Sequence, residues 1–304
     1  LKFPNNCEYY YLPACLICFG HAGFFINFGI FSNNYTKKPQ MIKIRDLHKS
    51  FGQKSVLTGV DLTIPTGDTI CIIGKSGCGK SVLIKHIVGL LEQDSGHVSV
   101  DGRSIEDLDS EGLFDLRRQM GFVFQGAALF DSYNVFENIV IGLYEHGQRD
   151  MQKLTNEAVR VLTAVSLLPE RAPDNEAEFQ KEWAILREKK PSDLSGGMRK
   201  RVGVARALVG EPKYIFYDEP TTGLDPVTSV QIDNLIADLT DRLNVTSVVI
   251  SHDMFSVFKI ANNVAMLNDG VVHFEGTPDE MRSSADPVVE EFLARYTLFA
   301  KEGG

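Results

Sequence analysis

From residue 41 onward, stretches that alternate apolar and polar positions give way to short continuous apolar runs, separated by stretches with helical spacing. That succession predicts an α/β protein with a largely parallel central sheet. MIKIRDL (41–47), VLTGVDLTI (56–64) and GHVSVDG (96–102) alternate or are rich in β-branched residues and end in turn residues. They predict a small antiparallel sheet beside the main one. DTICIIG (68–74), KYIFYDE (213–219) and TSVVIS (246–251) are continuous apolar runs, the pattern of strands buried on both faces.

Helical spacing covers 80–91, 134–144, 154–168, 197–208, 227–243 and 254–261. The stretch 126–199 contains no buried-strand run, which predicts a helical subdomain inserted into the α/β core. A C-terminal helical tail is expected over about 277–298. Residues 170–190 are highly charged and read equally well as a solvated loop with a short helix.

The first forty residues break this pattern. YLPACLICFGHAGFFINFGIF (11–31) approaches the length of a membrane span, but Pro13, His21, Asn27 and three glycines weaken it, and no basic segment or cleavage site marks a signal peptide. Since a clean strand pattern opens at Met41, residues 1–40 are expected to be an apolar leader outside the working protein, which is then 41–304.

Composition narrows the function. With 304 residues, 43% hydrophobic and 23% charged, the chain has the balance of a folded domain. A net charge of −9 argues against a surface that neutralises phosphate backbones, so nucleic acid is not expected as a partner. Five scattered cysteines suit a reducing compartment, and Cys15-x-x-Cys18 lacks the companions of a zinc or redox site.

The chemistry begins at Gly74-Lys75-Ser76-Gly77-Cys78-Gly79-Lys80-Ser81, which follows a strand and opens a helix. In G-x-x-x-x-G-K-[ST], backbone N–H groups freed by glycine curl around a β-phosphate at the helix N-terminus. Lys80 is then placed for the β/γ-phosphates and Ser81 for Mg2+, and Val82, next along the helix that opens at Lys80, is counted with the nucleotide-binding residues. Asp218-Glu219, ending an apolar strand, supplies the second requirement: Asp218 can hold Mg2+ through water, and Glu219 can orient and deprotonate the attacking water.

Leu194-Ser195-Gly196-Gly197-Met198 forms another anion-binding helix start. One chain has one γ-phosphate, so the economical arrangement is a head-to-tail pair in which each chain's LSGG caps the other's ATP. His252, after a strand, is placed to contact the γ-phosphate. Gln125, ending GFVFQ (121–125), can touch Mg2+ or water, and Phe51 can stack on adenine.

Together these residues resemble the ATPase subunits of ABC transporters, over essentially the whole of 41–304. The resemblance implies a P-loop NTPase (RecA-like) core with a small antiparallel β subdomain and an inserted helical subdomain. It assigns Phe51 to the adenine-stacking aromatic, Gly74 to Ser81 to Walker A, Gln125 to the Q-loop and Leu194 to Met198 to the signature. Asp218 and Glu219 resemble Walker B and the catalytic base, Gly223-Leu224-Asp225 the D-loop, and His252 the switch histidine. ATP and Mg2+ are the implied cofactors; a second ATPase subunit and an integral membrane permease are the implied partners.

A narrower likeness follows. Met198 where most members carry Gln, GAALFDSYNVFENI (126–139) and the tail ADPVVEEFL (285–293) resemble the Mla-type, MCE-associated lipid transporter ATPases. This implies phospholipid transport, an MCE-domain partner, and peripheral attachment at the cytoplasmic face of the inner membrane. Residues 170–190 depart from that subfamily in length and charge. Two alternatives stand beside it: a transporter ATPase for a small polar substrate, and a soluble ABC ATPase in DNA repair or translation.

Overall fold

A computed structural model describes residues 41–301, with side chains described through residue 294. The expected leader, 1–40, lies outside the described residues. The strands are β1 (Met41–Phe51), β2 (Lys54–Pro65), β3 (Thr69–Gly74), β4 (Ser95–Val100), β5 (Arg103–Ser104), β6 (Met120–Val123), β7 (Tyr214–Asp218), β8 (Thr246–Ile250), β9 (Asn263–Asn268) and β10 (Val271–Gly276). The helices are α1 (Lys80–Ile87), α2 (Ser110–Arg117), α3 (Val135–Glu145), α4 (Met151–Ala164), α5 (Glu176–Glu188), α6 (Gly196–Ala207), α7 (Pro226–Leu243), α8 (Met254–Ile260), α9 (Pro278–Arg282) and α10 (Pro287–Lys301).

Two sheets result. The smaller is antiparallel in the order β2-β1-β4-β5; the larger runs β10-β9-β3-β8-β7-β6, parallel except for the β9–β10 pair. The continuous apolar runs are explained by burial on both faces, because successive side chains of a strand point in opposite directions. Cys71 and Ile73 of β3, with Ile215 and Tyr217 of β7, enter one apolar cluster with Phe136, Val161 and Ile232. Ile70 and Ile72, with Tyr214 and Phe216, enter the other with Ile42, Ile44, Leu62 and Val98 of the antiparallel sheet. Each such side chain contributes about 1.5–3 kcal/mol by leaving water.

Between β6 and β7 the described chain is helical, with a 3-10 turn at Pro191–Asp193. Several helix starts follow from local chemistry. Asn134 and Glu137 form a reciprocal capping box on α3, and Asp225 caps α7 with Pro226 in its first turn.

Other elements depart from the sequence expectation. Helix α1 stops at Ile87 rather than at residue 91, because Val88 caps it and Gly89 turns left-handed at φ 67°. The charged stretch 170–190 carries the 13-residue α5, whose Phe179, Trp183 and Leu186 are buried at spacings of four and three. A short helix was expected in this stretch; its 13-residue length and its buried apolar stripe, narrow among charges, were not. Strands β9 and β10 were not expected. Asn263–Asn268 mixes polar ends with a four-residue apolar centre, and lies beside β3 because β3 needs a neighbour on that side. Helix α2 was also not expected; it buries only Leu116, too little to leave a periodic signal.

Candidate functional site

The site collects at the carboxyl ends of the parallel strands, where a doubly covered sheet leaves its crevice. Strand β3 delivers Gly74 into the phosphate-type loop. Gly74 sits at φ 143°, and a Cβ there would lie 2.3 Å from the carbonyl oxygen of Leu267 on β9, so the loop can leave the sheet at that point only with glycine. Gly79, at φ 107°, is the residue before α1. Lys80 is 8% exposed, and its ammonium folds back to donate to the carbonyls of Gly74 at 2.9 Å and Lys75 at 3.0 Å. Lys75 itself faces Glu291 of α10 at 3.7 Å.

Strand β7 brings the acidic pair to the same place. Ser81 Oγ donates to Asp218 Oδ1 at 3.3 Å, which joins two of the three expected metal-holding groups, Gln125 being the third. Burial pushes the Asp218 carboxyl up, against the lowering effect of the Ser81 hydrogen bond and with some help from the charge of Glu219. Among the described residues, no cluster of three or more His, Cys, Asp or Glu could hold a metal by itself. One carboxylate, one hydroxyl and a glutamine amide form a hard-oxygen set of the kind Mg2+ uses when substrate phosphates and water complete its shell.

Glu219 is held on three sides. Gln125 Nε2 donates to Glu219 Oε2 at 2.8 Å, and Thr222 Oγ1 donates to the same oxygen at 3.0 Å. His252 Nδ1 stands 3.3 Å from the other oxygen, Oε1. The Glu219 backbone is left-handed at φ 50° and its N–H donates to the Ile250 carbonyl at 3.0 Å, which pins the turn to β8.

A cleft of about 380 Å³ is lined by Phe51, Lys54, Val56, Ser76, Gly77, Gly79, Lys80, Ser81, Val82 and Glu219. Phe51 is 48% exposed there, with the Lys49 ammonium 5.7 Å from its ring centre. Cys78 lines an adjoining cleft with Lys75, Ser76 and Gly77. A different cleft, of about 490 Å³, holds Ser195, Gly196, Gly197, Met198, Gly223, Leu224 and Asp225. The 380 Å³ cleft and the 490 Å³ cleft share no lining residue. Ser195 caps α6, its hydroxyl accepting from Met198 N–H at 3.2 Å; Asp225 accepts from Thr228 N–H at 3.0 Å and from its hydroxyl at 2.5 Å. The structure thus brings Lys80, Ser81, Gln125, Asp218, Glu219 and His252 together, and gathers Ser195, Gly196, Gly197 and Asp225 at the second cleft.

Residues 57–222 match the family described as ABC transporter, more than half of the chain. The chain belongs to the ABC transporter family. The probable ribonucleotide transport ATP-binding protein mkl of Mycobacterium tuberculosis (strain ATCC 25618 / H37Rv) is 34% identical over 252 residues, 83% of this chain and 66% of its own length. The intermembrane phospholipid transport system ATP-binding protein MlaF of Escherichia coli K12 is 34% identical over 253 residues, 83% of this chain and 88% of its own. The chain therefore spans just under two thirds of the mkl protein and most of MlaF. Among solved structures, the dimeric post-hydrolysis state of the ATP-binding cassette MJ0796 bound to ADP and Pi superposes with a TM-score of 0.67 at 30% identity, covering 78% of this chain and 99% of that one. The fold is thereby that of an ABC ATPase cassette, a P-loop NTPase core.

Two residues around the catalytic-type carboxylate of this cassette escaped the sequence reading. Thr222 carries no motif of its own, and its place three residues after Glu219 is the one signal that could have marked it. Lys200 was hidden in the basic run Arg199-Lys200-Arg201, and only its position on the apolar face of α6, one turn before Val204, distinguishes it.

Proposed function

We propose that the chain hydrolyses ATP as the energy-coupling subunit of a membrane transporter, working as a head-to-tail pair. The observation that carries this reading is the Glu219 carboxylate, held by Gln125 and Thr222 on one oxygen and facing His252 with the other, beside the Lys80 and Ser81 cleft. In this reading the N–H groups of 75–81 and the Lys80 ammonium bind the phosphates, and Phe51 stacks on adenine. Glu219 takes the proton of the attacking water while Gln125 and His252 orient it. Ser81, Asp218 and Gln125 would hold Mg2+, which supplies charge neutralisation at the phosphates when bound. The Gln125 amide can serve both partners, because its nitrogen donates to Glu219 and its oxygen remains an acceptor.

The separate cleft at Ser195, Gly196, Gly197 and Asp225 supports the pairing. A helix start with free N–H groups and no phosphate loop of its own is suited to the γ-phosphate on a second copy. Residues 126–199 are then a helical subdomain whose junction at Gln125 reports nucleotide state to a permease. Among the described residues no helix is long and apolar enough to cross a membrane. In this reading the cassette attaches through that permease at the cytoplasmic face of the inner membrane.

For the cargo, the reading favoured is lipid, with an MCE-domain protein as a further partner. Met198 after the glycines, the tail Asp286-Pro287 to Phe292-Leu293, and the likeness to MlaF over 88% of its length support it. Purification from native membranes followed by mass spectrometry of co-purifying proteins and lipids tests this. A bound MCE-domain protein with phospholipid is the expected result; a periplasmic binding protein for a small polar solute, with no MCE-domain protein, contradicts it.

A further inference from the structure

Lys200 lies on α6, five residues after Ser195. Its neighbours hold nearby carbonyls: Arg199 donates to Leu194 at 2.8 Å and Arg201 to Val165 at 2.7 Å. Lys200 instead turns inward. It is 5% exposed, and its ammonium donates to the backbone carbonyl of Gln125 and, at 3.3 Å, to that of Glu219. These are the carbonyls of the two residues whose side chains meet at 2.8 Å. Burial pulls the Lys200 ammonium below the ordinary lysine range, and the charge of Glu219 opposes that shift.

The backbone around those carbonyls needs a hold. Glu219 is left-handed at φ 50°, and Ala127 and Ala128, just after Gln125, are left-handed at φ 62° and 44°. Such non-glycine conformations persist only where their surroundings fix them. Helix α6 supplies the fixing groups on the Gln125 side: Arg206 donates to the carbonyls of Ala127 and Ala128, both at 2.9 Å, and Lys200 completes the clamp. Lys200 alone of these cations also reaches across to the Glu219 turn.

We propose that Lys200 is a positioning residue for hydrolysis, holding the Gln125 and Glu219 backbones to one helix so that the glutamine amide stays on the carboxylate. Helix α6 opens with Gly196-Gly197 beneath the Ser195 cap, so any shift of that turn against a second copy is felt at Lys200 and hence at Glu219. The inference rests on the proposed role of Glu219 in activating water.

The test compares wild type, Lys200→Met, Lys200→Arg, Gln125→Ala and the Lys200→Met/Gln125→Ala double variant, reading kcat, KM and affinity for a fluorescent ATP analogue. Lys200→Met is expected to lower kcat about tenfold with KM and nucleotide affinity nearly unchanged, and Lys200→Arg to restore most of the loss. The double variant is expected to be no slower than the slower single, because both changes break one arrangement. A Lys200→Met kcat within about twofold of wild type, or losses that multiply in the double variant, overturns the inference. Should Lys200→Met fail to fold, Lys200→Leu, which likewise has no donor, takes its place under the same criteria. Wild-type protein without turnover overturns the proposed function itself, an outcome distinct from normal turnover in the Lys200 variants.

Discussion

Gln125 and Glu219 stand at matching heights just past the ends of two neighbouring parallel strands, β6 and β7. Val123 of β6 pairs with Tyr217 of β7, and two residues further along each chain the Gln125 amide donates to Glu219 Oε2 at 2.8 Å. Strand register therefore sets the contact at the edge between the parallel core and the helical stretch that follows. It leaves Glu219 Oε1 facing His252 at 3.3 Å, the oxygen that the proposed function has accept the proton of the attacking water.

Replacing Glu219 by Gln keeps the size and the contacts of the side chain but removes its basicity. The expected fall in steady-state phosphate release is about 10²–10⁴-fold, with ATP binding retained. Normal turnover in Glu219→Gln would falsify its role as the base.

Lys80 is the cation that bridges the loop carbonyls of Gly74 and Lys75 and faces the cleft. Lys80→Ala should weaken ATP affinity by about tenfold or more, since a charge-assisted contact to phosphate is lost. Equilibrium binding of a labelled nucleotide measures it, and unchanged affinity would contradict the cleft assignment.

Trp183 of α5 is 6% exposed and meets Phe136 edge-on at 6.0 Å. If α5 is anchored by its apolar stripe, Trp183→Ala costs about 3–5 kcal/mol in urea unfolding. A cost below about 1 kcal/mol would mean that the helix is a surface appendage.

Asp233 of α7 is 3% exposed; Ser256 Oγ donates to its Oδ2 at 2.8 Å, while its Oδ1 has no hydrogen-bond partner. Burial raises its carboxyl above the ordinary 3.8, with Ser256 opposing. The folded state thus holds the proton more tightly than the unfolded chain. Stability is lost as pH climbs from 3.8 through the raised folded value, and stays lower above it. Asp233→Asn should be more stable than wild type at pH 7.5, with the difference narrowing toward pH 4. Urea midpoints across that range that keep a constant difference would show that Asp233 does not titrate this way.

Much of the fold was legible because the strongest signals are forced by burial. Ile70 to Ile73 and Tyr214 to Tyr217 must be apolar on both faces, and the glycines at 74 and 79 occupy backbone that other residues rarely adopt. Strand β9 was missed because its ends are polar and its partner β3 is distant in sequence, and β10, which pairs with β9, because its half-exposed residues include His273 and Glu275 and form no buried run. Helix α5 was expected only as a short helix in a solvated stretch, because the surrounding charges masked its buried face. At the site, the residue types that bear chemistry could be read from spacing, and the structure brings Gln125, Glu219 and His252 within contact. Lys200 could not be read in the same way. Its target is backbone carbonyl, and backbone carbonyls have no sequence signature.

The central claim is that one chain's Lys80 cleft and another's Ser195 cleft close on the same ATP. The molar mass of the Glu219→Gln protein, residues 41–304, measured by light scattering with Mg2+ and ATP and again with ADP, tests it most directly. Twice the single-chain mass with ATP, returning to the single-chain mass with ADP or when Ser195→Arg is added, is the predicted result. A single-chain mass at saturating ATP would contradict the account.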